Sequence, residues 1–277
     1  MPQTNPDLSP ARDYKGRVIP EMGILAGREL IKRTAHLFRA RKRERLICLH
    51  ETNSMIVPEF TFGTYGLCWE EKIPRNFIDQ FPIDYIRAHS TGLQAGLDPV
   101  ALLLPRIPDP DSMPVPEYLK RRSRIVRTAL SLLMQHDMVP LQQHWGDYTD
   151  QYKWRYVQWA FGTHKDDCTF MPYWSRGKLP FSVTGNFLVS AYRRGKSALI
   201  AVSNLGSAAK TTLTVDRNAL GLAPGAVLAD AMTGERFAFP SATFEVPECE
   251  YRWIYAGPEE MLALLEPPEP DPGFIHK

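Results

Sequence analysis

The stretch Arg45-Leu46-Ile47-Cys48-Leu49-His50 is a short and nearly continuous apolar run, and Glu51-Thr52-Asn53-Ser54 follows it as a burst of polar side chains. A short apolar run bounded by polar residues is typical of a β-strand buried on both faces, as in a parallel sheet. The polar residues then lie at the carboxyl end of that strand, which is the side of a parallel α/β barrel where chemistry occurs. The sequence therefore predicts a buried strand, a buried Cys48 thiol and functional groups at the end of the strand.

The residues before this strand predict an amphipathic helix over 27–43, because apolar side chains recur at helical spacing. Basic side chains fill much of the remaining helix surface: Lys32, Arg33, Arg39, Arg41, Lys42 and Arg43. Two interpretations stay open for these residues. They form a solvated helix face whose positive charge suits the carboxyl end of the helix dipole, or they form a patch that binds an anion or nucleic acid.

A loop rich in aromatic residues follows the strand and ends at Glu70-Glu71. Residues 60–69 include no Asp, Glu, Lys or Arg, so a carboxyl group next to Trp69 has apolar neighbours in sequence. Apolar surroundings raise the pKa of a carboxyl group, as a general acid requires, whereas Lys72 and Arg75 would lower it. Adjacent residues of an extended segment point to opposite faces, so one glutamate can enter a site, and Glu70 is the better candidate. The alternative is a solvated acidic loop end.

The middle of the chain predicts a further short strand over 83–88 and helices over 118–135 and 151–161. Asp84 and Arg87 lie on the predicted strand, where they form either a structural ion pair or a clamp for a substrate. The strand and the two helices extend the α/β pattern that begins at residue 27.

From residue 181 onward the pattern changes to short alternating runs separated by turn signals, which is typical of an all-β region. Residues 187–192 and 198–203 are expected to pair as a hairpin around Arg194-Gly195-Lys196. The predicted fold class is therefore α/β plus all-β: a partial (β/α) barrel over residues 1–178, an antiparallel β-sandwich over 179–257 and a tail over 258–277.

Composition excludes several classes of protein. The 277 residues are 44% hydrophobic and 23% charged, as in an ordinary globular protein. The formal net charge of +2 gives no support to a general nucleic-acid-binding role. No apolar run approaches the ~20 residues of a membrane-spanning helix, and the amino-terminal residues lack the apolar centre of a secretory signal, so no membrane partner is expected.

Metal and cofactor motifs are not evident in the sequence. The four cysteines, Cys48, Cys68, Cys168 and Cys249, are far apart and form no CxxC pair. His136, Asp137 and His144 lack the spacing of metal ligands. We expect no metal and no cofactor, because phosphate-binding loops, GxSxG and HExxH are also missing from the sequence.

Six stretches resemble the carboxyl-terminal half of a group of glycoside-hydrolase-like proteins related to N-acetyl-β-galactosaminidases and, more distantly, to α-galactosidase-type barrels. They are GRELIKR (27–33), ICLHETNSMIVPEFTFGTYGLCWEE (47–71), DYIRAHSTGLQAG (84–96), TALSLLMQHD (128–137), FMPYW (170–174) and SALIAVSNLG (197–206). The resemblance implies a (β/α)8 barrel followed by a small antiparallel β-domain. A complete barrel takes about 200–250 residues, so the resemblance also implies that the early strands are missing and are supplied by an amino-terminal half-barrel or a second copy.

Glycoside hydrolysis requires two carboxyl groups, or one carboxyl group and an acetamido group of the substrate. The candidate catalytic residues are Glu70, Glu71 and Glu51, which follow predicted strands or the aromatic loop. The candidate carbohydrate-binding residues are His50, Asp84, Arg87, Trp69 and Tyr65. The aromatic rings either stack on sugar faces or fill the core, and His50 either binds a sugar hydroxyl or caps the strand. A non-catalytic carbohydrate-binding or interaction fragment is the alternative function.

Overall fold

The computed structural model describes residues 12–18, 24–44, 46–50, 60–68, 72–73, 77–90, 97–102, 104–105, 113–141 and 149–268. The chain divides into two compact units, the first comprising residues 1–68 and 93–99 and the second comprising residues 69–92 and 100–277. The domain boundaries predicted at residues 178 and 257 stay predictions. In the described part of the chain, no helix has the length and apolar character needed to cross a membrane.

The first unit contains helix α1 (Ile24–Ala40) and strands β1 (Cys48–His50) and β2 (Tyr65–Cys68). The helix confirms the prediction over residues 27–40, but it begins three residues earlier than predicted and ends before residues 41–43. The two strands pair in parallel, with Leu49 beside Gly66. Gly63 precedes β2 at a close approach, because a Cβ atom there would lie 2.7 Å from Leu49 Cδ1 and 2.6 Å from Leu97 Cδ2. A side chain at residue 63 would therefore displace the leucine that anchors β1.

The prediction that the first strand is buried on both faces is wrong. Cys48 and His50 are exposed and Leu49 is half-buried, and the Cys48 thiol is exposed rather than buried. Among the described strands, β1 has one hydrogen-bonded neighbour, β2, so it lies at a sheet edge. An apolar run predicts a strand correctly, but its burial depends on neighbours that the run itself does not encode.

The second unit begins with short parallel strands that alternate with helices. Its elements before residue 162 are β3 (Lys72–Ile73), α2 (Phe77–Gln80), α3 (Ile83–Ser90), β5 (Leu104–Pro105), α4 (Val115–Leu133), β6 (Val139–Leu141) and α5 (Thr149–Phe161), together with most of β4 (Asp98–Leu102). Strand β3 pairs with β5 in parallel. Strand β4 pairs with β6 in parallel, with Ala101 beside Pro140. Parallel pairing in this region is what the sequence predicted.

The strand predicted over residues 83–88 is wrong, because these residues form helix α3. The Pro82 carbonyl accepts hydrogen bonds from the backbone N–H groups of Tyr85 and Ile86, which starts the helix. Asp84 lies in the first turn, where a carboxylate suits the helix dipole. Ile86 is fully buried while its neighbours in sequence are exposed. One buried side chain per turn is a helical pattern. Over only six residues, this pattern cannot be distinguished from the alternating burial of a β-strand.

The remainder of the second unit is antiparallel. Its strands are β7 (Cys168–Met171), β8 (Phe181–Val183), β9 (Phe187–Arg194), β10 (Ser197–Asn204), β11 (Ala209–Val215), β12 (Val227–Asp230), β13 (Arg236–Phe237), β14 (Ser241–Val246) and β15 (Tyr251–Gly257). Helices α6 (Arg217–Leu220) and α7 (Glu259–Leu264) complete it. The strands form a six-stranded sheet in the order β13-β12-β15-β10-β9-β7 and a three-stranded sheet in the order β14-β11-β8. One apolar core includes side chains from both sheets.

The predicted hairpin around residue 195 is confirmed. Strands β9 and β10 pair antiparallel, and Arg194 lies beside Ser197 at the turn. Gly195 has φ of +56°, a left-handed conformation that a glycine adopts without steric cost. All eight residues of β10 are buried. The hairpin is therefore the centre of the antiparallel region.

Helix α4 is joined to this hairpin by a buried network of hydrogen bonds. The Gln135 side-chain amide donates to the Ala201 carbonyl at 3.0 Å and to Ser203 Oγ at 2.8 Å. Ser203 Oγ donates to the Ser131 carbonyl at 2.5 Å. Ser190 Oγ donates to the Gln135 carbonyl at 3.2 Å. The network supplies partners to polar groups that lose water when the helix covers the sheet.

We expect Gln135→Leu to lower the free energy of unfolding by about 1–3 kcal/mol, because it removes the donor from two buried acceptors while keeping a similar volume. Urea denaturation followed by tryptophan fluorescence measures this. The matched control is Thr243→Val, which removes a hydrogen bond to Thr212 on an exposed sheet surface and should change stability by less than about 0.5 kcal/mol. Equal losses of stability in the two variants would contradict a stabilising role for the buried hydrogen bonds of Gln135.

Candidate functional site

The carboxyl ends of β1 and β2 lie at the same edge of a sheet. The strands are parallel, and His50, the last residue of β1, lies beside Leu67 of β2. The His50 side chain is exposed at this edge. The two strands therefore run in the same direction and end at the same edge of the sheet.

Tyr65 lies at the opposite end of the pair. It is half-buried, begins β2 and lies beside Cys48, the first residue of β1. His50 and Tyr65 therefore lie at opposite ends of the β1–β2 pair. Glu51, Trp69, Glu70 and Glu71 lie outside the described residues, so their predicted roles stay predictions.

Asp84 and Arg87 form an exposed ion pair on helix α3 in the second unit. Arg87 Nη2 lies 3.2 Å from Asp84 Oδ1, and the two side chains are 42% and 81% exposed. Residues three apart on a helix are neighbours, which explains the pairing. An ion pair exposed to this extent contributes little to stability. The ion-pair alternative is thus what the structure contains, and the substrate-clamp role stays a prediction.

A buried histidine connects to this surface ion pair. The His136 ring is fully buried, and its Nδ1 lies 2.7 Å from the Leu132 carbonyl oxygen. Because a carbonyl oxygen only accepts hydrogen bonds, Nδ1 carries the proton and donates. The other nitrogen, Nε2, therefore accepts from the Tyr173 hydroxyl at 3.3 Å. The Arg87 side chain lies close enough to Tyr173 to influence the pKa of its hydroxyl group, and Arg87 in turn pairs with Asp84.

Aromatic rings enclose the histidine. Trp174 stacks on the His136 ring with centroids 5.5 Å apart and an interplanar angle of 20°. Burial lowers the pKa of His136 to about 4. Burial also raises the pKa of Tyr173, and the nearby Arg87 charge partly offsets this. The ring is therefore held neutral at pH 7, and it donates and accepts one hydrogen bond each.

The position of this cluster favours a structural role. His136 lies in the connection between α4 and β6, and both of its ring nitrogens have hydrogen-bond partners. It links α4 to α3 and to the segment after β7. The sequence contained one signal of the cluster, the FMPYW stretch at residues 170–174. The partners of that stretch lie far away in sequence, at residues 87 and 136, and sequence reasoning missed them.

A cleft of about 800 Å³ lies between the β12–β13 turn and helix α7. Some of its charged groups are already paired: Asp230 pairs with Arg252 at 2.9 Å, and Arg236 pairs with Glu259, while Lys153 and Glu266 also line the cleft. None of the described residues that line it is aromatic. Among the described residues, no three potential ligands cluster as a metal site would require. The described lining therefore supplies no aromatic surface on which a sugar ring could stack.

No protein-family model and no curated protein sequence matches this chain. Its structural neighbours are glycoside hydrolases. A family-27 β-L-arabinopyranosidase from Geobacillus stearothermophilus, solved in complex with arabinose, has a TM-score of 0.49 and 11% identity over 83% of this chain and 54% of that one. This chain thus spans about half the length of the arabinopyranosidase.

Two family-30 xylanases also overlap with the chain. The endoxylanase from Clostridium papyrosolvens has a TM-score of 0.39 and 10% identity over 90% of this chain and 75% of that one. The subfamily-8 xylanase from Clostridium acetobutylicum has a TM-score of 0.42 and 14% identity over 92% of this chain and 65% of that one. All three TM-scores are below 0.5, so no active-site residue is transferred from these enzymes.

The buried His136 predicts a pH dependence of stability. Its pKa is about 4 in the folded state and 6.5 ordinarily, so between these values the unfolded state binds more protons. Stability should therefore fall as the pH falls from 6.5 to 4, by about 3 kcal/mol for this residue at most, and should not depend on this residue above pH 6.5.

Urea denaturation between pH 4.5 and 7.5 tests this for the unmodified chain and for His136→Gln. The variant is less stable at pH 7 because it loses packing, but its stability falls less between pH 6.5 and 4.5. The matched control is His164→Gln, since His164 is exposed. A pH slope unchanged in His136→Gln would mean that His136 is not held neutral.

Proposed function

We propose that this chain is part of a glycoside-hydrolase-like protein that binds or acts on carbohydrate. Parallel strands that alternate with helices and precede an antiparallel region support a partial (β/α) barrel followed by a β-sandwich. The sequence resemblance to N-acetyl-β-galactosaminidase-like proteins points to the same class. The observation that carries the proposal is the register of β1 and β2, which brings the carboxyl ends of two neighbouring strands to one edge.

That edge is where the candidate carboxyl groups begin. Glu51 directly follows His50, and Glu70 is the second residue after Cys68. Adjacent strands are about 4.8 Å apart and consecutive Cα atoms about 3.8 Å apart, so short connections suffice to bring two carboxyl groups within glycosidase range. Pairs of carboxyl groups are about 5–5.5 Å apart in retaining glycosidases and about 6.5–9.5 Å apart in inverting ones.

The proposed role of each candidate residue follows from the chemistry of its side chain. Glu70, next to Trp69 in an aromatic segment, is the general acid, because an apolar environment keeps a carboxyl group protonated. Glu51 is the second carboxylate, and Glu71 is the less favoured alternative to Glu70. His50 donates a hydrogen bond to a sugar hydroxyl, and the Trp69 ring stacks against a sugar face. Tyr65 begins β2 at the opposite end of the strand pair, so it is not assigned to this edge.

A specific observation favours the non-catalytic alternative for the chain on its own. Strand β1 is exposed and has a single neighbour among the described strands. Helix α1 has exposed leucines, and Leu25 is 80% exposed. Open edges and exposed apolar side chains are covered in a complete barrel. A missing half-barrel or a second copy of the chain would cover them, and without it the chain would bind carbohydrate and not hydrolyse it.

If the protein that contains this chain hydrolyses a glycoside, we expect Glu70→Gln to lower the rate of that hydrolysis about 10²–10⁴-fold. The substitution keeps the shape of the side chain and removes the transferable proton. A panel of aryl glycosides that includes N-acetylhexosaminides measures this, and the same panel tests the proposed activity. The matched control is Glu260→Gln, since Glu260 is an exposed residue of α7.

Three results separate the alternatives. Sugar binding without hydrolysis would favour the non-catalytic function. Full activity of Glu70→Gln together with an inactive Glu51→Gln would move the acid to residue 51. The absence of both binding and hydrolysis across the panel would contradict the proposed function.

A further inference from the structure

One side of helix α1 forms a small cavity with a basic wall. Ala35, His36, Arg39, Arg43 and Phe62 line a space of about 350 Å³ in the first unit. Residues 36, 39 and 43 follow one another at three- and four-residue spacing, so they lie along one side of the helix and its continuation. Ala35 is buried, and Phe62 is half-buried. The cavity therefore has an apolar floor and a cationic wall.

A fourth basic group lies next to the cavity. The Arg28 guanidinium lies 5.2 Å from the centroid of the Phe62 ring. This cation–π contact holds the ring and adds positive charge beside it. Phe62 is thus fixed between the Arg28 side chain and the residues that line the cavity.

The backbone at the end of α1 places Arg43 over the cavity. The Lys42 N–H donates to the Arg39 carbonyl, and the Arg43 N–H donates to the Phe38 carbonyl, both at 3.0 Å. These two bonds form a Schellman motif, in which the residue after the cap is left-handed. Lys42 has φ of +51°, a conformation that glycine adopts more easily. The chain therefore turns sharply here, and the turn brings a third arginine close to the cavity.

The acidic residue of the helix does not neutralise these cations. Glu29 lies 3.7 Å from the Lys32 ammonium and 3.3 Å from Arg33 Nε. In the part of the chain that the structure describes, Arg28, Arg39 and Arg43 make no ion pair with a carboxylate. The guanidinium groups of Arg39 and Arg43 on the wall and of Arg28 beside the cavity repel one another, and a bound anion would relieve that repulsion.

The helix dipole opposes an anion here, since the carboxyl end carries partial negative charge. That effect is weaker than a hydrogen bond between a guanidinium group and an anion. Hydrogen bonds from two guanidinium groups to one anion therefore outweigh the unfavourable effect of the helix dipole. The positive charge on the wall determines which ligands bind.

Charge and size select among anions. Guanidinium groups bind phosphate and carboxylate oxygens in a bidentate way, and three cations match a dianionic phosphate monoester better than one carboxylate. The volume is at the small end of ligand pockets, which are about 300–1,000 Å³. Single-stranded nucleic acid would require a longer basic groove with several stacking rings. Phe62 and Ala35 supply one apolar surface, which suits the C–H face of one sugar ring.

We propose that this cavity binds a phosphorylated sugar of monosaccharide size, with the phosphate on Arg39 and Arg43 and the sugar ring against Phe62. This site is separate from the proposed carbohydrate site at the carboxyl edge of β1 and β2, and it does not depend on that function. It assigns Arg39 and Arg43 of the basic run to ligand binding, while Lys32 and Arg33 pair with Glu29.

Isothermal titration of the full chain with glucose 6-phosphate, inorganic phosphate and glucose tests the proposal. Glucose 6-phosphate should bind more tightly than inorganic phosphate, and glucose should not bind at this site. Replacing Arg39 and Arg43 together by Gln should weaken glucose 6-phosphate binding at least tenfold. Arg33→Gln is the matched control on the same helix, because Arg33 does not line the cavity and pairs with Glu29; its binding should change less than twofold.

A second substitution tests the ring. Phe62→Leu should weaken glucose 6-phosphate binding and leave inorganic phosphate binding unchanged, and thermal unfolding confirms that each variant is folded. The proposal is overturned if neither phosphate compound binds, or if Arg33→Gln weakens binding as much as the double variant. It is also overturned if inorganic phosphate binds as tightly as glucose 6-phosphate, or if a single-stranded oligonucleotide binds more tightly than both.

Discussion

The buried seam between helix α4 and strands β9 and β10 constrains the rest of the second unit. One face of the six-stranded sheet contributes to the apolar core shared with the three-stranded sheet. Its other face carries Ser190 and Ser203, whose hydroxyl groups need partners once water is excluded. The Gln135 carbonyl accepts from Ser190, the Ser131 carbonyl of α4 accepts from Ser203, and the Gln135 side chain donates to Ser203. An apolar helix could cover this face, but it would leave those hydroxyls unsatisfied, so the polar seam sets the position at which α4 docks.

Because α4 and β6 are connected by only five residues, the seam also sets where β6 begins. Three consecutive residues of this connection reach different partners. Gln135 bonds to β10, His136 bonds to Tyr173, and Asp137 accepts a hydrogen bond from the Tyr192 hydroxyl at 2.6 Å. Asp137 has φ of +56°, which turns the chain between these directions. The amino end of β6 is therefore fixed by three side chains that each have a hydrogen-bond partner.

Local signals in the sequence predicted what local interactions decide. The β9–β10 hairpin needed only two alternating runs and a glycine turn, and α4 needed only apolar periodicity and length. Residues 83–88 were misassigned because they are few and because Pro82 starts a helix with its carbonyl group. Cys48 was expected to be buried, but burial depends on a neighbouring strand that no local pattern specifies. The cluster around His136 joins residues 87, 136 and 173, and no spacing rule connects such distant positions. Of the candidate site, sequence placed His50 correctly at a strand end, whereas Tyr65 lies at the other end of the strand pair.

The net charge of +2 conceals how charge is arranged on α1. Spacing rules alone indicate that Glu29 can reach Lys32 and Arg33, which lie three and four residues away. They also indicate that no acidic residue of the helix lies that close to Arg39 or Arg43. Spacing along the helix does not show that Phe62 packs beside these cations. Phe62 lies in the turn before β2, and with it the row of cations becomes the wall of a cavity. A basic helix face is ordinarily solvated, and it becomes selective only when a second element limits the size and shape of the anion that fits against it. In this chain the second element is the turn that Gly63 allows to pack closely against β1.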